Sequence, residues 1–176
     1  MMRSSHPIPR FSNMTVVVGG TAMPERLRNQ FLGVDPLHHY LVAAERRPLG
    51  SSFETTDIGF PLRTDEVTFR PVYLNNAPDG SIVIADFCEE YIAHGQNYQG
   101  QIDPSSGRLY RIRAKNLSLE TDTNLEAKSS EALLEFLDHP NLWHRHTSVR
   151  LLGQRADATV VPQLVARLKE RRLPYP

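Results

Sequence analysis

The 176-residue chain balances 20 Lys and Arg against 20 Asp and Glu, so it has no net charge with which to recruit nucleic acid or an anionic membrane. Its 40% apolar residues suffice for a buried core, in one domain or in a small domain with an appendage. The single Cys88 excludes an internal disulfide, a Cys-rich zinc site and a C-x-x-C-H haem attachment; no apolar run approaches the roughly 20 residues of a membrane helix, and the N-terminal segment has no export signal.

As written, then, the chain is expected to be soluble and not exported. The basic cluster of Arg167, Lys169, Arg171 and Arg172 reads as a solvated helix end.

Short apolar runs fill the first two thirds, at 15–18, 30–34, 40–44, 72–74, 82–85 and 109–112. They are rich in Val, Ile and Tyr and bounded by Gly, Pro, Asp or Asn, which predicts strands of an antiparallel meander. Pro78-Asp79-Gly80 reads as a hairpin turn, Pro presetting φ and Gly accepting a positive one. Laying "FLGVDPLHHYLVAA" over "IVIADFCEEYIAHG" exposes an internal repeat at an offset of 51 residues, with Asp35 opposite Asp86 and Tyr40 opposite Tyr91. Periods of about 40 to 50 with several strands per unit suggest propeller blades. An acid that recurs at the same strand end is expected to cap a turn; the competing reading of Asp86 is a cation ligand or an acceptor for a sugar hydroxyl.

Beyond Lys115 the character changes. Residues 116–128 are polar and read as a linker. Leu133, Leu134 and Leu137 then follow a Ser cap at helical spacing. His139-Pro140-Asn141 is expected to break that helix, because proline disfavours helical geometry in the residue before it. A second helix is predicted from 142 to about 155, with Trp143, Thr147 and Leu151 in one row and His144, Ser148 and Leu152 in the next. A stop over 153–157 precedes the start of a third helix at Val161, Leu164, Val165 and Leu168.

The stretch "TDEVTFRPVYLNNAPDGSIVIADFCEEYIAHGQNYQGQIDPSSGRLYRIRAK" resembles the last propeller blade of the membrane-bound dehydrogenase-like proteins of planctomycetes, relatives of the quinone-dependent glucose/sorbosone dehydrogenases. "MPERLRNQFLGVDPLHHYLVAAE" is similar to the blade before it, and "LDHPNLWHRHTSVRLLGQRADATVVPQL" to the HEAT repeats that follow that propeller. The resemblance implies an α+β fold: a partial β-propeller of about two blades over 1–115 (14–60 and 64–115), then the linker, then a truncated HEAT-like helical pair over 129–172. It also implies oxidation of a sugar or related alcohol in complete relatives, with a PQQ-like quinone, Ca²⁺ and electron transfer to a cytochrome. Such relatives are usually exported. A propeller is typically built from four to eight blades around a channel, so two blades cannot enclose a cofactor. The chain is therefore read as a fragment or truncated paralogue, inactive alone.

Candidate chemistry is sparse. Arg70, just before a strand, could bind an anionic cofactor through its planar fork; the alternative is a salt bridge or carbonyl clamp between blades. His94 lies in a polar insertion, where its imidazole could take a proton from a carbohydrate hydroxyl during hydride transfer, with Gln96, Asn97 and Gln99 binding neighbouring hydroxyls. The alternative for His94 is a solvent-exposed hydrogen-bonder. His38 with His39, and His144 with His146, have no metal spacing, and no phosphate loop, dinucleotide fingerprint or nucleophile elbow is present. The rival class is a non-enzymatic interaction module in which blade edges and helices bind a protein partner.

Overall fold

The computed structural model describes residues 8, 13–90 and 105–170. β1 (Met14–Val17), β2 (Phe31–Asp35), β3 (Tyr40–Leu49) and β4 (Ser52–Arg63) form a four-stranded antiparallel meander paired in sequence order. β5 (Pro71–Asn76), β6 (Ile82–Asp86) and β7 (Arg108–Ile112) form a second, three-stranded antiparallel sheet. Three helices follow among the described residues: α1 (Ser130–Glu135), α2 (Leu142–Arg155) and α3 (Val161–Glu170). The fold is α+β, and the described residues form no closed barrel.

Strand alternation sends Leu32, Val34, Leu41 and Ala43 to one face of the first sheet. There they meet Leu74, Ile82 and Ile84 of the second sheet, and Val18, Met23, Leu27 and Phe69 close the margins of this core. β4 escaped the reading of apolar runs. Its exposed and half-exposed residues alternate, and it contains Asp57, Gly59 and Pro61, which an edge strand tolerates because one side of its backbone forms no ladder. Pairing with β3 therefore defines it, through a register that slips between Leu41 and Ala44.

The two sheets obey the 51-residue repeat. β2 and β6 begin at Phe31 and Ile82, end at Asp35 and Asp86, and are each the second strand of their sheet. The β5–β6 turn forms as expected: the Ala77 N–H donates to the Ser81 carbonyl at 2.9 Å, and Asp79 Oδ1 accepts from the Ser81 N–H at 3.0 Å. Gly80 sits at φ 83°, and a Cβ there would fall 2.3 Å from Thr21 Oγ1. The Asn76 amide ties the first strands of the two sheets together, donating to Val17 O and accepting from the Gly19 N–H, both at 2.9 Å.

In the helical unit, Ser129 Oγ accepts from the Ala132 N–H and caps α1. His139 is extended before Pro140, and the Asn141 side chain caps α2 by accepting from the Trp143 N–H. The helical core comprises Leu133, Leu134, Leu151, Leu152 and Val160, joined by Leu125 from the segment read as a linker. Trp143 is half-buried against this core. The unit is seated on the sheets by the Leu142 N–H, which donates to the Gly19 carbonyl at 2.8 Å.

Candidate functional site

Of the polar residues singled out in the sequence, Asp35, Asp86, Arg70, His38 and His39 come together where β2 and β6 end. Asp35 Oδ1 accepts from the backbone N–H of Leu37 at 3.0 Å and of His38 at 3.1 Å, while His38 Nδ1 lies 3.0 Å from Oδ2. Asp86 repeats the motif: Oδ1 accepts from the Cys88 N–H at 3.0 Å and from the Arg70 N–H at 2.6 Å. Both acids cap the turn that follows their strand, bonding the N–H two residues on. The cap at Asp86 fixes a strained turn, since Cys88 adopts φ 57° without being glycine.

The second Asp86 oxygen is held by Arg108, whose Nε and Nη2 both stand 2.9 Å away. Register explains the pair, because Asp86 on β6 faces Arg108 on β7. Desolvation, the largest single influence, works against the Arg108 cation, but the Asp86 charge and hydrogen bond together with Tyr110 and Cys88 overcome it and the guanidinium pKa is raised. Alternation along β7 could have suggested a partner for Arg108, but not which one.

Arg70 is almost wholly buried, and its guanidinium bridges the two sheets through backbone carbonyls. Nε donates to Glu89 O and Nη1 to Pro36 O, both at 2.8 Å, and Nη2 donates to Glu90 O. His39 completes the clamp: its Nδ1 lies 3.0 Å from the Phe69 carbonyl and so carries the hydrogen, leaving Nε2 as an acceptor 3.4 Å from Arg70 Nη1. Burial lowers the Arg70 pKa, and the Asp86 carboxylate partly offsets this. Chemically, the fork holds the turn after β2 and the chain after β6 in a fixed relation.

His94, Gln96, Asn97 and Gln99 lie outside the described residues. The described flanks of their segment belong to the same cluster: Arg70 holds the carbonyls of Glu89 and Glu90 on one side, and Ser106 Oγ donates to Cys88 O at 3.3 Å on the other. Among the described residues no group of three or more His, Cys, Asp or Glu could hold a metal ion, and no helix is long and apolar enough to cross a membrane. A half-open groove of about 510 Å³ lies at the other end of the sheets, between Val17, Asn76 and the α2 residues Trp143, His146 and Arg150. Its Asn76 amide is already spent on Val17 and Gly19.

No curated protein and no solved structure matches the chain. A family model described as a domain of unknown function, DUF7133, matches residues 11–116, which takes in both sheets and their polar cluster. The chain belongs to the DUF7133 family.

Proposed function

We propose that this chain is a scaffold piece of a blade-built, dehydrogenase-like propeller, in which its sheets and helices pack against further blades and do no chemistry of their own. One observation carries the reading: an apolar row on the outer face of the second sheet is uncovered, beside a row of Asn75, Val83 and Arg111. Tyr73, Ala85 and Leu109 lie in one cross-strand row, with Tyr73 49% and Leu109 77% exposed. Alternation places Leu74 and Ile84 on the opposite face, where they are buried against the first sheet. Contact between the two sheets is head-to-tail, since a face of one meets a different face of the next. Such contacts propagate, into a ring where the rotation closes and into an open array where it does not. The occupant of the open face is then another sheet of the same kind.

The described residues do not fit the quinone or Ca²⁺ that the dehydrogenase resemblance implies. Arg70 spends its fork on carbonyls, and Asp35 and Asp86 accept backbone N–H groups. Light scattering coupled to size exclusion tests the reading. We expect concentration-dependent self-association of the isolated chain, and its reversal by Tyr73→Lys with Leu109→Lys while the sheet signal in circular dichroism is retained. A concentration-independent monomer would make this an autonomous β domain. A parallel assay with glucose, added quinone, Ca²⁺ and an artificial acceptor should give no turnover; oxidation that disappears in His94→Ala would return the chain to the enzymes.

A further inference from the structure

The joint between the sheets and the helical unit is built around two stacked imidazoles. His139 and His144 lie with ring centroids 4.2 Å apart and planes 16° from parallel, and Phe136 stacks on both. His144 is 1% exposed. Its Nε2 stands 3.0 Å from the Pro78 carbonyl in the β5–β6 turn, and a carbonyl only accepts, so Nε2 carries the hydrogen. Its Nδ1 is buried without a hydrogen-bond partner, as is Ser148 Oγ one helical turn further on. His139 has the complementary requirement. Its Nδ1 accepts from the Asn141 N–H at 3.1 Å and must stay bare, and the Asn141 side chain also donates to Pro78 O at 3.0 Å.

Protonation would damage both rings' contacts. A hydrogen on His139 Nδ1 would face the Asn141 N–H, donor against donor. A hydrogen on His144 Nδ1 would be an unsatisfied buried donor on a cation stacked against a second imidazole. We propose that the His139–His144 stack is a latch that holds the helical unit on the β5–β6 turn while the buried His144 ring is neutral and releases it when that ring takes up a proton.

The charged surroundings do not rescue the cation. Burial holds the His144 imidazole below its ordinary value of 6.5; the Pro78 carbonyl opposes this, His139 reinforces it, and Glu120 and Asp122 of the connecting segment oppose it. Asp79, in the same turn as Pro78, is engaged by Ser81 and Arg111. The Arg145 guanidinium donates to the His139 and Pro140 carbonyls and adds positive charge nearby. An opened joint therefore takes up a proton that the closed joint resists. The His144 contribution is whole above about pH 6.5 and is lost as the pH falls below it, down to the depressed value of the closed state. Across that window each pH unit shifts the closed-to-open ratio about tenfold for this ring.

Trp143 is the only tryptophan and lies edge-on to His144 with centroids 5.3 Å apart, so its emission reports the joint directly. The experiment follows Trp143 fluorescence and hydrogen exchange of the α2 amides in the full chain from about pH 7.5 to about pH 5, the range over which histidine titrates. Exchange is corrected for its intrinsic pH dependence. We expect α2 exchange to rise by up to about tenfold per pH unit within the window while β2, β3 and β6 stay protected. The double variant His139→Asn with His144→Gln supplies an acceptor for the Asn141 N–H and a donor for Pro78 O without titrating, and it should stay closed throughout. An unchanged joint in the wild type at about pH 5, simultaneous loss of sheet protection, or equal opening in the double variant would overturn the latch. Should the double variant not fold, ring nitrogen NMR of the wild type decides: opening must coincide with protonation of His144 Nδ1, and titration without opening refutes it.

Discussion

Replacing Asp86 by alanine separates a structural acid from a functional one. The substitution leaves the Arg70 and Cys88 N–H groups, now bonded at 2.6 and 3.0 Å, without their acceptor in a nearly closed environment. Each buried donor left unpaired costs about 1–3 kcal/mol. The Arg108 pair adds at most about 1 kcal/mol, because a third of that side chain is in water and the ion pair is screened accordingly. Allowing for relaxation of the Cys88 turn, the total is about 3–5 kcal/mol, which matches the usual cost of removing one member of a buried pair. At about 2–4 °C per kcal/mol for a chain of this size, the melting temperature should fall by about 6–20 °C. Asp86→Asn retains an Oδ1 acceptor for the two N–H groups but sets an amide NH2 in place of Oδ2 against the Arg108 donors, so it should cost about 1–3 kcal/mol. Urea unfolding followed by far-ultraviolet circular dichroism measures both. A loss below about 1 kcal/mol for the alanine variant, or a gain in stability of the kind seen when a strained functional group is removed, would refute the cap and restore Asp86 as a site residue.

Arg70→Lys should cost about 1.5–3 kcal/mol, since an ammonium cannot span three carbonyls from two segments, and hydrogen exchange at residues 86–90 should rise with it. Leu133→Ala removes a fully buried side chain of the helical core and should cost about 2–5 kcal/mol in thermal unfolding. Truncating a fully buried Trp costs about 3–5 kcal/mol, so half-buried Trp143→Ala should cost about 1.5–2.5 kcal/mol and leave helical circular dichroism largely intact at low temperature. Gly80→Ala forces a Cβ against Thr21 Oγ1 and the Ala22 backbone at a positive φ, and should destabilise by more than about 1 kcal/mol, whereas Gly153→Ala, where a Cβ inside α2 meets open space, should stabilise by about 0.4–1 kcal/mol.

What could be read from the sequence was what neighbours in the chain decide. The β5–β6 turn, the Ser129 cap and the break at Pro140 each depend on residues within four positions of one another, and each formed as expected. The turn-cap role of Asp35 and Asp86 was legible for the same reason, since an aspartate reaches the N–H two residues on wherever a strand ends in a turn. β4 had no such local signature and exists because β3 templates it. Leu125 was invisible in a polar segment because its burial depends on helices that come later in the chain. The repeat makes the limit plain. Asp35 and Asp86 share the cap, but Asp35 takes its second partner three residues away, at His38, whereas Asp86 takes Arg108 across a strand register 22 residues away. Arg70 and His144 go further, finding carbonyls at Pro36 and Pro78, 34 and 66 residues distant. A buried cation or imidazole announces only that it must be satisfied; which carbonyl satisfies it is a property of how the sheets and helices dock. The residues that looked most chemical in the sequence are thus the ones whose roles it could least decide, because burial forces them to find partners and the fold alone selects them.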